Sequence, residues 1–226
     1  LKGEFKEAIE KLLLKENLSK ELADLIKDGK YGEVNESYPR LRNERQILEY
    51  LSKSPDYSKA FVVLPPSTSS LFVHAYQAKI FNEALLERIK EIPLNEAEIG
   101  DLVSMEREGH YYRTQVNNSN LTRVKDGIKK GNIKVIAPLI GYGSLIPKSL
   151  LGKISVELLE KDGIIKESFR VNEAPFLGSN GAYRNILGDY RDLSFSIEED
   201  GARFKFFLYK GEYATVFLRY LTSSLS

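Results

Sequence analysis

The run PPSTSSLFVHAYQAKIFNEALLERIKEI, residues 65–92, constrains this chain most. Two prolines followed by a Ser/Thr cluster mark a helix start, because proline at the first helical position gives up only an N–H that has no partner there. From Leu71 to Ile89 the apolar residues spread round most of the circumference. Leu71, Phe72, Ala75, Ala78, Phe81, Leu85 and Ile89 form one stripe, and Val73, Tyr76, Ile80 and Ala84 another. A helix that is apolar nearly all round belongs inside, so this segment reads as the buried central helix of a domain. His74 lies on it and reads as a hydrogen-bonded core residue.

Shorter amphipathic helices precede it. Phe5, Ile9, Leu12 and Leu13 share one face of EFKEAIEKLLLKE. Ser19 is placed to cap SKELADLIKDG, with Leu22, Leu25 and Ile26 inward and Gly29 as its stop. NERQILEYLSKS, from Asn43, stops before Pro55. After Pro93 the period changes. IGDLVSMEREGHYYRTQVN reads as strand, turn, strand with its bend at Glu108-Gly109, NLTRVKDGIKKGN as a helix ending at Gly131, and IKVIAPLIGYG as a buried strand entering a glycine-rich loop. SVELLEKDG is helical, and ESFRVNEAPFLGSNGAYRNILGDYRD is loop-rich. Leu193, Phe195 and Ile197, then Phe204, Phe206 and Leu208, alternate about Asp200-Gly201, a hairpin whose turn reads as slightly longer than two residues. The fold class is α+β.

Composition removes several chemistries. The chain has 226 residues, no cysteine, two histidines (His74 and His110) and a formal net charge of +1. Thiolate zinc sites, disulfides and a thiol nucleophile are excluded, and the two histidines lie in different elements, so no metal site is expected. A nucleic-acid surface must be a local patch. No apolar run approaches the roughly 20 residues that span a bilayer. GYGS (141–144) and GSNG (178–181) match no phosphate-cradling motif and read as turns. Carboxylates sit mostly beside Lys or Arg on helix faces, the pattern of a solvated surface. Late in the chain Tyr183, Arg184, Tyr190, Arg191, Lys205, Tyr209, Lys210, Tyr213 and Arg219 interleave. Such a set suits RNA, where arginine meets phosphate and an aromatic ring stacks on a base. It equally suits a basic-aromatic sheet edge with no ligand.

Three segments together carry a family resemblance. LFVHAYQAKIFNEALLERI resembles the Ala-x-Gln/Arg-Ser-x-x-Phe-Asn helix of the tRNA pseudouridine synthase D (TruD) family through Ala75, Gln77, Phe81 and Asn82. IAPLIGYGS resembles its Pro-x-x-Gly loop. KFFLYKGEYATVFLRYL resembles its closing signature L-P-x-G-[SE]-aromatic-A-T-x-x-L-R-E-L. The resemblance implies a cofactor-free, cytoplasmic enzyme that isomerises uridine to pseudouridine in tRNA, usually uridine 13. An aspartate attacks the nucleoside, the glycosidic bond breaks, the uracil turns and C5 bonds to the ribose. The base must leave its stack to be reached.

The resemblance also implies a domain plan. Residues 1–14 continue from a catalytic segment, 15–187 form the inserted domain, and 188–226 return to the catalytic domain, whose sheet face is then exposed or covered by a partner. The family's G-x-K-D nucleophile motif and its N-[YF]-F-G-x-Q-R-F-G motif do not occur here, and the first residue is Leu. The chain is expected to be a piece of something longer, inactive alone and carrying no catalytic residue. The implied substrate contacts are Tyr213, with Gly211 permitting the turn and Ala214 and Thr215 keeping the helix start slim, and Arg184, which touches phosphate or braces the hinge. Gln77 and Asn82 are expected to satisfy local backbone groups in the helix, and Arg219 to touch RNA or pair with a carboxylate. Two rival readings are a stand-alone RNA-binding module and an α+β interaction protein with no RNA role.

Overall fold

The computed structural model describes residues 1–14, 18–37, 42–107, 109–209 and 212–223. Eight α-helices and six strands, with three short 3-10 turns between them, follow one another along the described residues: α1 (Phe5–Leu13), α2 (Lys20–Lys27), α3 (Tyr31–Ser37), α4 (Arg42–Lys53), α5 (Pro66–Arg88), β1 (Leu102–Arg107), β2 (His110–Gln115), α6 (Leu121–Lys129), β3 (Ile133–Leu139), α7 (Leu150–Lys161), β4 (Ala182–Asn185), β5 (Tyr190–Glu198), β6 (Gly201–Leu208) and α8 (Ala214–Ser223). The α+β class is as expected. No helix among the described residues is long and apolar enough to cross a membrane. Two compact units divide the chain: Leu1–Glu87 with Pro138–Ile146 and Leu150–Ala182, and Arg88–Ala137 with Pro147–Ser149 and Tyr183–Ser226.

The first unit is helical. Its core joins Ile9 and Leu13 of α1, Ile26 of α2, Val34 of α3, Ile47, Leu48 and Leu51 of α4, Val73 and Ile80 of α5, Leu159 of α7, and Phe169 and Leu177. The Ser19 hydroxyl caps α2 by accepting from the Leu22 N–H at 3.4 Å. α3 is an element the sequence pattern did not announce, because YGEVNES has just two large apolar residues, Tyr31 and Val34, too few to show a period.

α5 corrects the expectation of a helix buried all round. The face it buries carries Ser69, Val73, Gln77, Ile80, Phe81, Ala84 and Arg88, while Leu71, Phe72 and Leu86 are exposed. His74 and Asn82 are also exposed, so neither is a core residue. Three polar side chains take the inner face because each has a partner there: Gln77 and Arg88 meet the buried Ile140 carbonyl and Asp101, and the Ser69 hydroxyl donates back to the Pro65 and Pro66 carbonyls at the helix start. Tyr76 ties α5 to the end of α7 by donating to Asp162 Oδ2 at 3.0 Å.

Gln77 reaches across the unit rather than to its own helix. Its Nε2 donates to the Ile140 carbonyl at 2.7 Å and the Ser179 Oγ at 2.9 Å. The two glycine-rich turns, 141–144 and 178–181, are clasped there. The Tyr142 and Gly143 N–H groups donate to the carbonyls of Ser179 and Asn180, each at 3.1 Å. A Cβ on Gly141 would lie 2.2 Å from the Gly181 nitrogen, and Gly181 itself adopts φ +90°. Both positions therefore require glycine.

The second unit holds a four-stranded sheet in the order β2-β1-β3-β4 and a separate ribbon, β5-β6. β1 runs antiparallel to both β2 and β3. The ribbon is tighter than the sequence suggested. Glu198 pairs with Gly201, so only Glu199 and Asp200 form the turn. A bulge between Arg191 and Ser194 places Asp192 at φ +54°. α8 packs Phe217 on the ribbon, with ring centres 4.7 Å from Tyr190 and 4.8 Å from Phe206. Phe195, Ile197 and Phe207 stay exposed.

Candidate nucleic-acid interface

The segment that ends β6 and opens α8 sets the geometry. The Glu212 N–H donates to the Tyr209 carbonyl, and the Tyr213 carbonyl accepts from the N–H groups of Val216 and Phe217, each at 3.1 Å. Tyr213 thus stands at the entrance of α8, where the backbone is turning. It is 60% exposed, so its ring is not spent on core packing. Lys210 and Gly211, the residues read as making this turn, lie outside the described residues.

Arg184, from β4, meets Tyr213. Its guanidinium carbon lies 5.0 Å from the ring centre, a cation–π distance. Thr215 is exposed on the first turn of α8. Two of the three site residues read from the sequence are therefore in contact, and the third lies two positions along, a spacing at which helical side chains do not face one another.

Glu212 is a neighbour the sequence reading passed over, although it adjoins Tyr213 in the motif. Its Oε1 accepts the Asp189 N–H at 2.8 Å, and its carboxyl lies against Gly188, 3.5 Å from where a Cβ would stand. Burial pushes the Glu212 carboxyl above the ordinary range, and the positive charges of Lys134 and Arg184 oppose that shift. Lys134 also forms an ion pair with Asp189. The turn carrying Tyr213 is thereby held to the residues that precede β5.

Other cations rest on tyrosine rings in the same unit. Arg113 lies 4.2 Å from the centre of Tyr183, Lys134 5.3 Å from Tyr209, and Arg191 4.8 Å from Tyr209. Arg113 and Lys134 escaped the reading of the late basic-aromatic cluster because they come from β2 and β3, far back in the sequence. Lys205, Tyr190 and Arg219, which belong to that cluster, are exposed. Among the described residues, no three His, Asp or Glu side chains gather as metal ligands would.

The arrangement offers ring faces and fixed cations beside the Glu212 carboxyl. It can hold a flat base and neutralise phosphate.

The model of the family described as tRNA pseudouridine synthase D (TruD) matches residues 1–221. Proteins named "Probable tRNA pseudouridine synthase D" include one from Thermococcus sibiricus, 35% identical over 87% of this chain and 48% of its own length. One from Thermococcus gammatolerans is 38% identical over 81% of this chain and 45% of its own length. A crystal structure from Methanosarcina mazei, described as "Putative tRNA pseudouridine synthase D (TruD)", superposes with a TM-score of 0.82 at 30% identity, covering 96% of this chain and 54% of that one. The chain spans about half the length of the curated relatives it matches. It belongs to the tRNA pseudouridine synthase D (TruD) family.

Proposed function

We propose that this chain is the RNA-contacting part of a tRNA pseudouridine synthase. Family membership over nearly the whole chain carries this reading. The exposed Tyr213 under the Arg184 guanidinium supports it. The enzyme acts in the cytoplasm on a uridine of tRNA, turning the base so that C5 replaces N1 on the ribose. The sequence contains no G-x-K-D motif, so the attacking aspartate comes from a catalytic segment beyond these residues, and the 226-residue chain alone forms no pseudouridine.

Tyr213 stacks on the flipped uracil, and Arg184 sits where it can contact phosphate while holding the ring. Thr215 leaves room beside them. The domain division follows the same reading, with residues 15–187 as the inserted domain and 188–226, which contain β5, β6 and α8, as the returning part of the catalytic domain.

The test is chemical mapping of pseudouridine in tRNA from cells lacking the gene. The mark should vanish, return with the full-length wild-type protein, and return only weakly with Tyr213→Ala. Persistence of every tRNA pseudouridine in the deletion strain would overturn the reading.

A further inference from the structure

The strand register sets a row of side chains across the second unit's sheet. Arg113 on β2 pairs with Ser104 on β1, and Ser104 pairs with Lys134 on β3. Residues in direct register point to one face, so two cations flank a serine, with their backbones about 10 Å apart at two strand spacings. Each cation is fixed from the side. Arg113 rests on Tyr183 and Lys134 on Tyr209, with Asp189 pairing the lysine. A guanidinium stacked on a ring keeps its N–H edge available for a phosphate and loses little entropy in using it.

This row connects to the Tyr213 site through contacts already described: Lys134 to Asp189, Asp189 N–H to Glu212, Glu212 to its sequence neighbour Tyr213, and Tyr213 to Arg184. The face is not uniformly positive. Glu106 stands opposite Tyr111, and Asp189 and Glu212 line the connecting stretch. A polyanion is therefore guided along the cations rather than spread over the whole surface.

We propose that the RNA strand leaving the Tyr213 site crosses the β2-β1-β3 face over Ser104, with its phosphates on Lys134 and Arg113. The inference rests on the proposed tRNA-modifying function and extends it by a second anchoring surface.

The test is tRNA affinity of the full-length protein across a series of salt concentrations. Arg113→Ala should weaken binding roughly three- to tenfold and lower the slope of log affinity against log salt by about 0.7, the value of one lost phosphate contact on a single strand. The loss should appear in KM, and Arg113→Lys should recover the slope. Ser104→Glu, which places an anion between the two cations, should weaken binding more than Ser104→Gln, which keeps the bulk without the charge. An Arg113→Ala protein with an unchanged melting temperature and an unchanged slope overturns the track while leaving the function standing, provided the wild type binds and modifies tRNA. A wild-type protein that does neither overturns both.

Discussion

Arg88 and Asp101 meet fork to fork with no exposed side-chain surface on either residue: Nη1 donates to Oδ1 at 2.9 Å and Nη2 to Oδ2 at 2.8 Å. The pair joins the last residue of α5 to the approach to β1. The Glu98 N–H adds a third bond to the carboxylate at 3.0 Å, and Nη2 also reaches the Glu96 carbonyl at 3.1 Å. The Arg88 Nε–H finds no acceptor among the described residues.

A pair of charges removed from water depends on both partners. Asp101→Ala removes the fork-to-fork partner and leaves the buried Arg88 charge to the partly exposed Glu98 carboxylate, 3.6 Å from Nη1, and should cost about 3 kcal/mol of folding stability. Replacing both with apolar residues of similar volume should cost far less, because no lone charge remains. Urea unfolding of the two variants separates the cases.

The glycine clasp makes a second prediction. Gly141→Ala drives a methyl into the backbone of 179–181, where nothing can yield, and should cost about 3 kcal/mol or more. Gln77→Ala leaves the buried Ile140 carbonyl without its side-chain donor and should cost about 1–3 kcal/mol. Thermal melts of both variants provide the check.

Acid should reveal Asp56. The Ser58 hydroxyl, the Lys59 N–H and the Lys59 ammonium hold its carboxyl down to about 2. Its unfolded value is about 3.9. A depressed carboxyl adds stability that is complete above the unfolded value and disappears as pH falls through the folded one. Asp56→Asn should therefore be less stable than wild type at neutral pH, and the gap should narrow between about pH 4 and pH 2. Urea midpoints taken across that range would show a constant gap if the ion pair and hydrogen bonds did not matter.

Tyr213 is tested by a graded series in the full-length enzyme. Stacking on a base is worth about 1–3 kcal/mol, so Tyr213→Ala should raise the tRNA KM roughly 5- to 150-fold. Tyr213→Phe keeps the ring face and should stay near wild type. If both variants lose equally, the hydroxyl rather than the ring is what matters.

Much of the scaffold was legible because it obeys local rules. The Ser19 cap, the hairpin of β1 and β2, and the alternation of β5 and β6 each follow from short-range spacing. The inner face of α5 was not legible. Periodicity shows that a helix exists, but which side turns inward is decided by partners elsewhere. Gln77 and Arg88 went in because Ile140 and Asp101 receive them, and Leu71 and Phe72 stayed out. The same limit hid Arg113 and Lys134. Their strands are separated from Tyr183 and Tyr209 by long stretches of chain, and only sheet register and packing bring the side chains together.

Gln77 holds Ser179 from 102 positions away. During synthesis, the first four helices and α5 leave the ribosome long before the segment that completes their unit exists. Domains fold as units in the order they emerge, so these helices must wait, with Gln77 unpartnered, while all of the β1–β3 region is translated. Any pause in translation within 88–137 would lengthen the interval before the two glycine-rich turns can close over Gln77.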